Sequence, residues 1–309
     1  MRVDLIEGPD AGQAWHFGDP LAEQRGMEQG RATVALSSRE VFSVTGDQRL
    51  TWLHALTSQA LDALAPGQGA EALVLSPTGQ IEFGLSLVDD GTTTWCWTEP
   101  GVRGPLLTWL ESMKFWTPVD LAGRDDVVLW WLGAEVSQPD EALASRPSAI
   151  ASGREVLMAA GVLPPCPLES GQWAHEALRI AAGVPRIGID TDERTLPNEI
   201  GLFGTALDKG CYRGQETVAR VHNLGRPPRR IVRLLFDGDL PAVGTSVIRD
   251  GRAVGVVMST AQHHEWGPIG LALVKRSVPV EAELDAGGIA ASQDVLVDPD
   301  VGEHFRPTL

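Results

Sequence analysis

Lysine and tyrosine are almost missing from this chain of 309 residues. Three Lys stand beside 22 Arg, and one Tyr beside ten Trp. A GC-rich coding bias accounts for the arginine excess as well as any function does. Cysteine is scarce too. Cys96, Cys166 and Cys211 are odd in number, far apart and without a CxxC, which argues against a disulfide framework and a zinc ribbon and suits a reducing compartment. No apolar run approaches the roughly 18–20 residues of a bilayer span; Val127 to Leu132 is short and reads as a buried strand. Met1-Arg2-Val3-Asp4, followed by Glu7 and Asp10, is neither a secretory apolar stretch nor an Arg-rich transit peptide, so a cytoplasmic protein is expected. Basic charge is in deficit: 25 Lys and Arg against 41 Asp and Glu give a net −16. Such a field repels phosphate and disfavours nucleic acids and anionic membranes as partners. Nothing calls for an obligate oligomer, and a monomer is expected.

What is present is a globular composition, 43% hydrophobic and 21% charged, long enough for two or three domains. Residues 1–30 are polar and read as a loose lead-in or surface arm. Val41–Val44 reads as a strand, with Asp47 placed to cap a helix whose apolar positions run from Leu50 through Leu53, Thr57 and Leu61 to Leu64. Ala72–Ser76, the turn Pro77-Thr78-Gly79-Gln80, Ile81–Val88 and Thr92–Trp97 form an antiparallel meander. A helix is expected over Val102–Phe115, a loop over Ser137–Gly153, and a helix over Ser170–Ala182 ended by Gly183. From Ile231 onward short β-rich runs alternate with Gly, Asp and Pro turns, the pattern of a small antiparallel barrel or sandwich, with a domain boundary near Pro227–Arg230.

Most motif matches fail on context. Gly67-Gln68-Gly69-Ala70-Glu71-Ala72 fits GxGxxA but follows a helix and opens a strand, the reverse of a dinucleotide fingerprint. His263 and His264 are adjacent, so on a strand they face opposite ways; a solvated loop beside Trp266 is expected instead of a metal site. His16, His54 and His175 each stand alone. The tryptophans suit stacking on a flat heterocycle, though most are expected in the core or on its rim. Six arginines between 213 and 233 (Arg213, Arg220, Arg226, Arg229, Arg230, Arg233) reverse the local charge around a Pro227-Pro228 linker, and a solvated linker face or an anion site explains them.

The informative stretch is Lys209-Gly210-Cys211-Tyr212-Arg213-Gly214-Gln215-Glu216. Gly210 and Gly214 leave Cys211 little bulky cover. Lys209 and Arg213 place positive charge on each side, which favours a thiolate. Gln215 and Glu216 add hydrogen-bonding groups, and Val218 is expected to open a strand. An inert buried cysteine is the plain alternative, and local chemistry leaves both readings open.

The octapeptide resembles the K-G-C-Y-x-G-Q-E signature of the YgfZ family, folate-binding proteins related to the glycine-cleavage T-protein and to a mitochondrial iron–sulfur assembly factor. Weaker elements recur in order: Val44-Thr45-Gly46-Asp47, the hairpin of Leu75–Leu87, Arg179 to Pro185 as R-x-x-x-G-x-P, and Leu196-Pro197-Asn198-Glu199. The resemblance implies an α+β, three-domain, ring-like fold around a central folate channel, with a C-terminal antiparallel β-barrel. Its domains would be 1–50 with 170–230, then 51–169, then 231–309. It implies tetrahydrofolate as ligand and a role with client enzymes or assembly proteins of [4Fe–4S] clusters, with Cys211 as the functional thiol. Where the T-protein carries an Asp-Asp pair after its hairpin glycine, this chain has Phe83 and Gly84. Loss of that carboxylate argues against an aminomethyltransferase unless Glu82 or Glu199 replaces it. For the folate itself, a flat slot suits Trp173 and His175, Glu199 is placed to read the heterocycle, and Arg179 and Arg220 to meet its carboxylates. Core packing, surface exposure, a cap contact and helix-face salt bridges are their plain alternatives.

Overall fold

The computed structural model describes residues 1–166, 168–225 and 227–300; Arg226 of the basic run lies outside them. The first thirty residues are built into the fold instead of forming a loose arm. Strands β1 (Val3–Asp4) and β2 (Ala14–His16) pair antiparallel, and helix α1 (Pro20–Glu28) follows. Asp19 accepts a hydrogen bond from the Ala22 N–H, and Pro20 suits a first turn that has no use for its missing donor. The polar residues that suggested disorder are buried and paired: Glu23 accepts from the backbone N–H groups of Phe17 and Gly171.

After β3 (Thr33–Ala35) and β4 (Glu40–Thr45) comes α2 (Arg49–Leu56). Gln48, not Asp47, is its N-cap, and α2 stops well short of Leu64. Ser58 diverts the chain: its N–H donates to the Leu73 carbonyl, and its hydroxyl donates to the Gly204 carbonyl at 2.6 Å. Leu61 is still fully buried, but from irregular backbone, so the apolar spacing was a record of burial and not of helix.

The meander is as expected: β5 (Gly69–Leu75), β6 (Ile81–Asp89) and β7 (Thr93–Thr98). Helix α3 (Arg103–Ser112) leads to β8 (Asp120–Gly123), giving a five-stranded sheet of order β5-β6-β7-β4-β8. A second sheet contains β9 (Val127–Gly133), β10 (Ala144–Pro147) and β11 (Gly153–Ala159), in the order β10-β11-β9-β3. β10 lies inside the stretch expected to be loop. Residues 51–169 therefore feed two sheets, and the second takes its edge strand from residues 33–35. Pairing between distant segments leaves no local mark in sequence. Trp131, fully buried, fills the space that Gly153 leaves free of a Cβ.

Helix α4 (Gln172–Ala182) ends as expected at Gly183, whose φ of 70° suits glycine. Helix α5 (Gln215–Leu224) contains Val218, which opens no strand. The last six strands are β12 (Arg229–Phe236), β13 (Ser246–Arg249), β14 (Arg252–His263), β15 (Gly267–Lys275), β16 (Leu284–Ala286) and β17 (Ala290–Val295). They close into a barrel of order β12-β15-β14-β13-β16-β17, so the fold class is the expected α+β with a C-terminal barrel. Among the described residues no helix is long and apolar enough to cross a membrane.

A buried charge network joins these layers. Arg186 grips Asp10 at 2.6 Å and Glu99 at 2.6 Å, and lies 3.3 Å from Glu176. Arg39 reaches Asp10 at 3.0 Å and Glu99 at 3.2 Å. Arg179, fully buried on α4, pairs with Glu176 at 2.8 Å and Asp190 at 2.7 Å, and donates to Ser259 of β14 at 3.1 Å. Burial alone would raise the Asp10 carboxyl, but the Arg186 hydrogen bond and the Arg39 charge outweigh it and hold it below its ordinary 3.8. Burial likewise opposes Arg179 and Arg186 at Glu176, and the cations hold that group well below 4.5.

Carboxyls whose pKa falls on folding contribute stability that is whole above their unfolded values and drains away as pH drops. Thermal melts are expected to hold steady above pH 4.5 and then to fall steeply through 3.8 and below. Arg186→Leu leaves Asp10 and Glu99 to share Arg39 and Glu176 with Arg179 alone. It is expected to cost roughly 3–5 kcal/mol in urea denaturation followed by tryptophan fluorescence.

Candidate functional site: a presented thiol and a central cavity

The segment around Cys211 is held from below while the thiol faces solvent. Lys209 is buried, and its ammonium donates to the carbonyl oxygens of His54, Thr57 and Gln59, the last of these at 3.1 Å. These acceptors lie at the C-terminal end of α2, where helix carbonyls lack partners and the dipole favours a cation. Burial pulls the Lys209 pKa from 10.5 down to about 8. The Tyr212 ring is buried with Lys209 Nζ 5.0 Å from its centroid, and Gln215 donates to the Lys209 carbonyl. Gly214 has φ 81°, and a Cβ there would meet Ser76 O at 2.6 Å and Gly79 Cα at 2.9 Å. The β5–β6 hairpin turn thus packs directly on the motif backbone. Glu216 is exposed in the first turn of α5. Gly210 and Cys211 between these anchors are exposed.

The flanking cations have other partners than the thiol. Lys209 serves the α2 carbonyls, and Arg213 pairs with Glu82 at 3.0 Å. Exposure, not a dedicated cationic pocket, sets Cys211 apart. Cys96 is the opposite case: it is fully buried, and desolvation pushes its thiol far up, which makes it inert.

A second feature is an inner cavity of about 90 Å³ beside the charge network, lined by Trp97, Thr98, Glu99, His175, Arg179 and Ile187 among others. Both ring nitrogens of His175 and the Thr98 hydroxyl are buried without a hydrogen-bond partner. The nearest carboxylate oxygen, on Glu176, is 3.9 Å from His175 Nδ1, too long for a hydrogen bond. Buried polar groups normally find partners, so these atoms are exceptions beside the cavity, shut off from its open space. Outside this cavity lies a cleft of about 570 Å³ lined by Glu82, Phe83, Gly84, Ile187, Arg194 and Arg229 among others.

The residues expected to hold folate are dispersed. His175 faces the inner cavity. Trp173, on another side of α4, stacks on Trp15 with centroids 5.3 Å apart. Arg179 lines the cavity but its donors are taken by Glu176, Asp190, Ser259 and the Val184 carbonyl, which leaves none to meet a ligand carboxylate. Glu199 is fully buried in a short 3-10 turn (Pro197–Ile200), where it accepts from Leu196 N–H and pairs with Arg229 at 2.8 Å. It reads its own backbone and not the cavity. Arg220 is exposed on α5 and lines neither space. Missed from sequence were Arg186, Asp10, Glu99, Thr98 and Ile187. Arg186 and Ile187 directly follow the R-x-x-x-G-x-P element, which was the available signal; Asp10 and Glu99 had none, since only folding brings them to Arg186.

The His263–His264 pair is a further correction. His263 ends β14 and His264 sits in the turn, so both rings lie together with centroids 4.7 Å apart. Both are buried instead of solvated, and with Glu28 of α1 their donor atoms lie within 4.8 Å of one another. His264 Nε2 lies 2.7 Å from a Glu28 carboxylate oxygen, and Gln24 one turn earlier bonds Gln262 O and His264 N–H. His263 Nδ1 accepts the N–H groups of Glu265 and Trp266. That pattern assigns the ring proton to Nε2, the wrong tautomer for a metal ligand there. The cluster is a clasp between α1 and the barrel.

Comparison with known proteins agrees with the architecture. Residues 229–296 match the family model for the CAF17 C-terminal beta-barrel domain. The fold matches the crystal structure of glycine cleavage system aminomethyltransferase T from Bartonella henselae, with a TM-score of 0.79 over 97% of this chain and 94% of that one, at 17% identity. The chain is 25% identical over 268 residues to the tRNA-modifying protein YgfZ of Shigella dysenteriae, covering 74% of this chain and 81% of that protein. It is 34% identical over 84 residues to the mitochondrial iron-sulfur cluster assembly factor IBA57 of Mus musculus, covering 25% and 22%. The chloroplastic protein At1g60990 of Arabidopsis thaliana is 29% identical over 295 residues, 81% of this chain and 66% of that protein. Together these matches support a YgfZ/GcvT-like family for the chain.

Lys209→Met keeps the stem and deletes the ammonium, leaving the α2 carbonyls without their donor. It is expected to cost about 2 kcal/mol of stability, read as a lowered midpoint in urea, while Cys211 becomes more accessible to a thiol reagent as its loop loosens.

Proposed function

We propose that this chain is a cytoplasmic tetrahydrofolate-binding accessory protein that supports the assembly, insertion or repair of [4Fe–4S] clusters in client enzymes through Cys211. The observation that carries the reading is the presentation of one thiol. Lys209, Tyr212 and Gly214 are anchored against α2 and the β5–β6 hairpin, while Cys211 stands in solvent between them. A rigid support under an exposed nucleophile is what delivery to a partner protein requires. The names of the IBA57 and YgfZ relatives bring in iron–sulfur cluster assembly and tRNA modification. Iron–sulfur chemistry suits an exposed thiol, whereas a surface of net −16 disfavours broad contact with tRNA.

Tetrahydrofolate fits the inner cavity chemically. His175, Thr98 and the flat ring of Trp97 line it, residue types that suit a flat polar heterocycle. The fold of an aminomethyltransferase raises the alternative of folate-dependent one-carbon transfer. Gly84 weighs against it. A Cβ there would lie 2.7 Å from Ile187, so position 84 has no room for a carboxylate. Of the replacements, Glu199 is occupied by Arg229, and Glu82 is paired with Arg213.

Titration of the reduced protein with tetrahydrofolate, followed by tryptophan quenching, is expected to saturate for both the parent and Cys211→Ala. In cells, Cys211→Ala is expected to abolish support of [4Fe–4S] enzyme activity. Full support by the alanine variant would remove the thiol from the mechanism; absence of saturable binding by either protein would remove the folate.

A further inference from the structure

Two aromatic rings stand in solvent at the tip of the turn that leaves α3. Phe115 is 80% exposed and Trp116 99%. The Thr117 N–H donates to the Lys114 carbonyl at 2.9 Å, which closes a four-residue turn with the two rings at its centre. Phe115 takes φ 46°, a left-handed conformation that a bulky residue adopts only under constraint. The constraint lies beneath the tip. The buried Trp52 of α2 donates its indole N–H to the Met113 carbonyl at 3.4 Å. A Cβ at Gly46 would lie 2.3 Å from the Pro118 carbonyl oxygen, so the backbone after the turn rests directly on the chain entering α2. Large apolar side chains held out in solvent on a fixed base mark an interaction site.

The charges around the tip choose among occupants. Glu111 and Asp120 are exposed, and so is Asp47 next to Gly46. Lys114, the cation of the turn, is shared between Glu111 at 3.8 Å and Asp120 at 3.7 Å. A rim of that sign, in a chain of net −16, repels nucleic acid and anionic lipid, and it repels a second copy that would present the same rim. It attracts a protein surface of opposite charge. We propose that Phe115 and Trp116 are a docking anchor for a protein partner that offers an apolar pocket rimmed by Lys or Arg. The anchor and the thiol have their bases on one helix. Trp52 holds the tip from within α2, and the C-terminal end of α2 holds Lys209, two residues from Cys211. The eight residues of α2 span about 12 Å. An interface of about 800 Å² per partner is roughly 30 Å across, so one partner is wide enough to cover both. That this partner is a [4Fe–4S] enzyme or assembly protein rests on the accessory reading above; the anchor itself does not.

The test uses the full chain with the photo-crosslinker benzoylphenylalanine in place of Trp116, irradiated in cells, and its adducts are identified by mass spectrometry. The same crosslinker in place of Val243, exposed on the barrel, sets the background. One dominant protein adduct is expected, and that protein is then purified and titrated against the parent chain and three variants. Trp116→Ser is expected to weaken binding by about 30-fold, the size of an aromatic hot spot, with an unchanged midpoint in urea. Phe115→Gly is expected to weaken it as far while its urea midpoint holds or rises, because glycine accepts a left-handed backbone without strain. Glu111→Lys with Asp120→Lys is expected to slow association about tenfold at low salt. Adducts with a second copy, with RNA or with lipid would overturn the proposal, as would no adduct above the Val243 background or equal affinity for both aromatic variants and the parent. An unchanged association rate in the charge variant would overturn the basic rim. A partner bound through Trp116 that neither carries nor receives an iron–sulfur cluster would uphold the anchor and reject the accessory reading. An iron–sulfur protein bound equally well by Trp116→Ser, Phe115→Gly and the parent would do the reverse.

Discussion

Three guanidinium groups and four carboxylates, buried where the sheets, α4 and the barrel meet, are the constraint on which the rest of the structure depends. Arg39, Arg179 and Arg186 face Asp10, Glu99, Glu176 and Asp190, and these residues come from segments spread from the N-terminus to the loop after α4. Taking such charges out of water is costly, and it is tolerated only when every group finds its partner at once. The network therefore acts as a test of correct assembly. If the turn between β1 and β2, the start of β4, the end of β7 or α4 is misplaced, a buried charge loses a partner. It also explains why polar residues near the N-terminus are ordered, and why the cavity beside the network has a fixed shape. The orphaned His175 and Thr98 stand out against this background of satisfied neighbours.

The same economy of placement shapes the Cys211 segment. The chain has three lysines, and one of them closes the end of a helix from another part of the sequence. An ammonium has three donors, and Lys209 uses them on the carbonyls of His54 and Thr57 at the α2 terminus and of Gln59 just beyond it. A lysine flanking a cysteine looks from sequence like an activator of the thiol. In the fold it is a clamp that sets where the thiol stands. The glycine Gly214 does the complementary work, because its missing Cβ lets the hairpin backbone at Gly79 come close. Charge and shape together position the loop, and the thiol itself needs no contact.

Elements with strong local chemistry were legible. Gly183 ends α4 where a left-handed cap was expected, the Pro77–Gln80 turn joins β5 to β6, and the alternating runs after Ile231 form the barrel. Elements governed by partners were not. Leu61 and Leu64 carried helical spacing, but Ser58 had hydrogen bonds waiting in β5 and at Gly204. Val218 looked like the start of a strand, but it lies inside α5, fully buried in a core cluster, where its carbonyl accepts from Asn198 of the 3-10 turn. The adjacent histidines were assigned to opposite faces by strand geometry, and a turn at His264 put them on one side.

By itself the sequence determined the composition class, the meander, the C-terminal barrel and the singular octapeptide around Cys211. Each of these follows from residues that are neighbours along the chain, where period, turn chemistry and motif spacing act directly. Only the tertiary structure decided which of the proposed site residues share a space. It kept His175 at the cavity, tied Arg179 into the charge network and closed Glu199 into its own turn. A side chain's role depends on whether its donors and acceptors are already taken, and those partners lie tens or hundreds of residues away. No local pattern records them, because burial and hydrogen bonding are settled only when the distant segments meet.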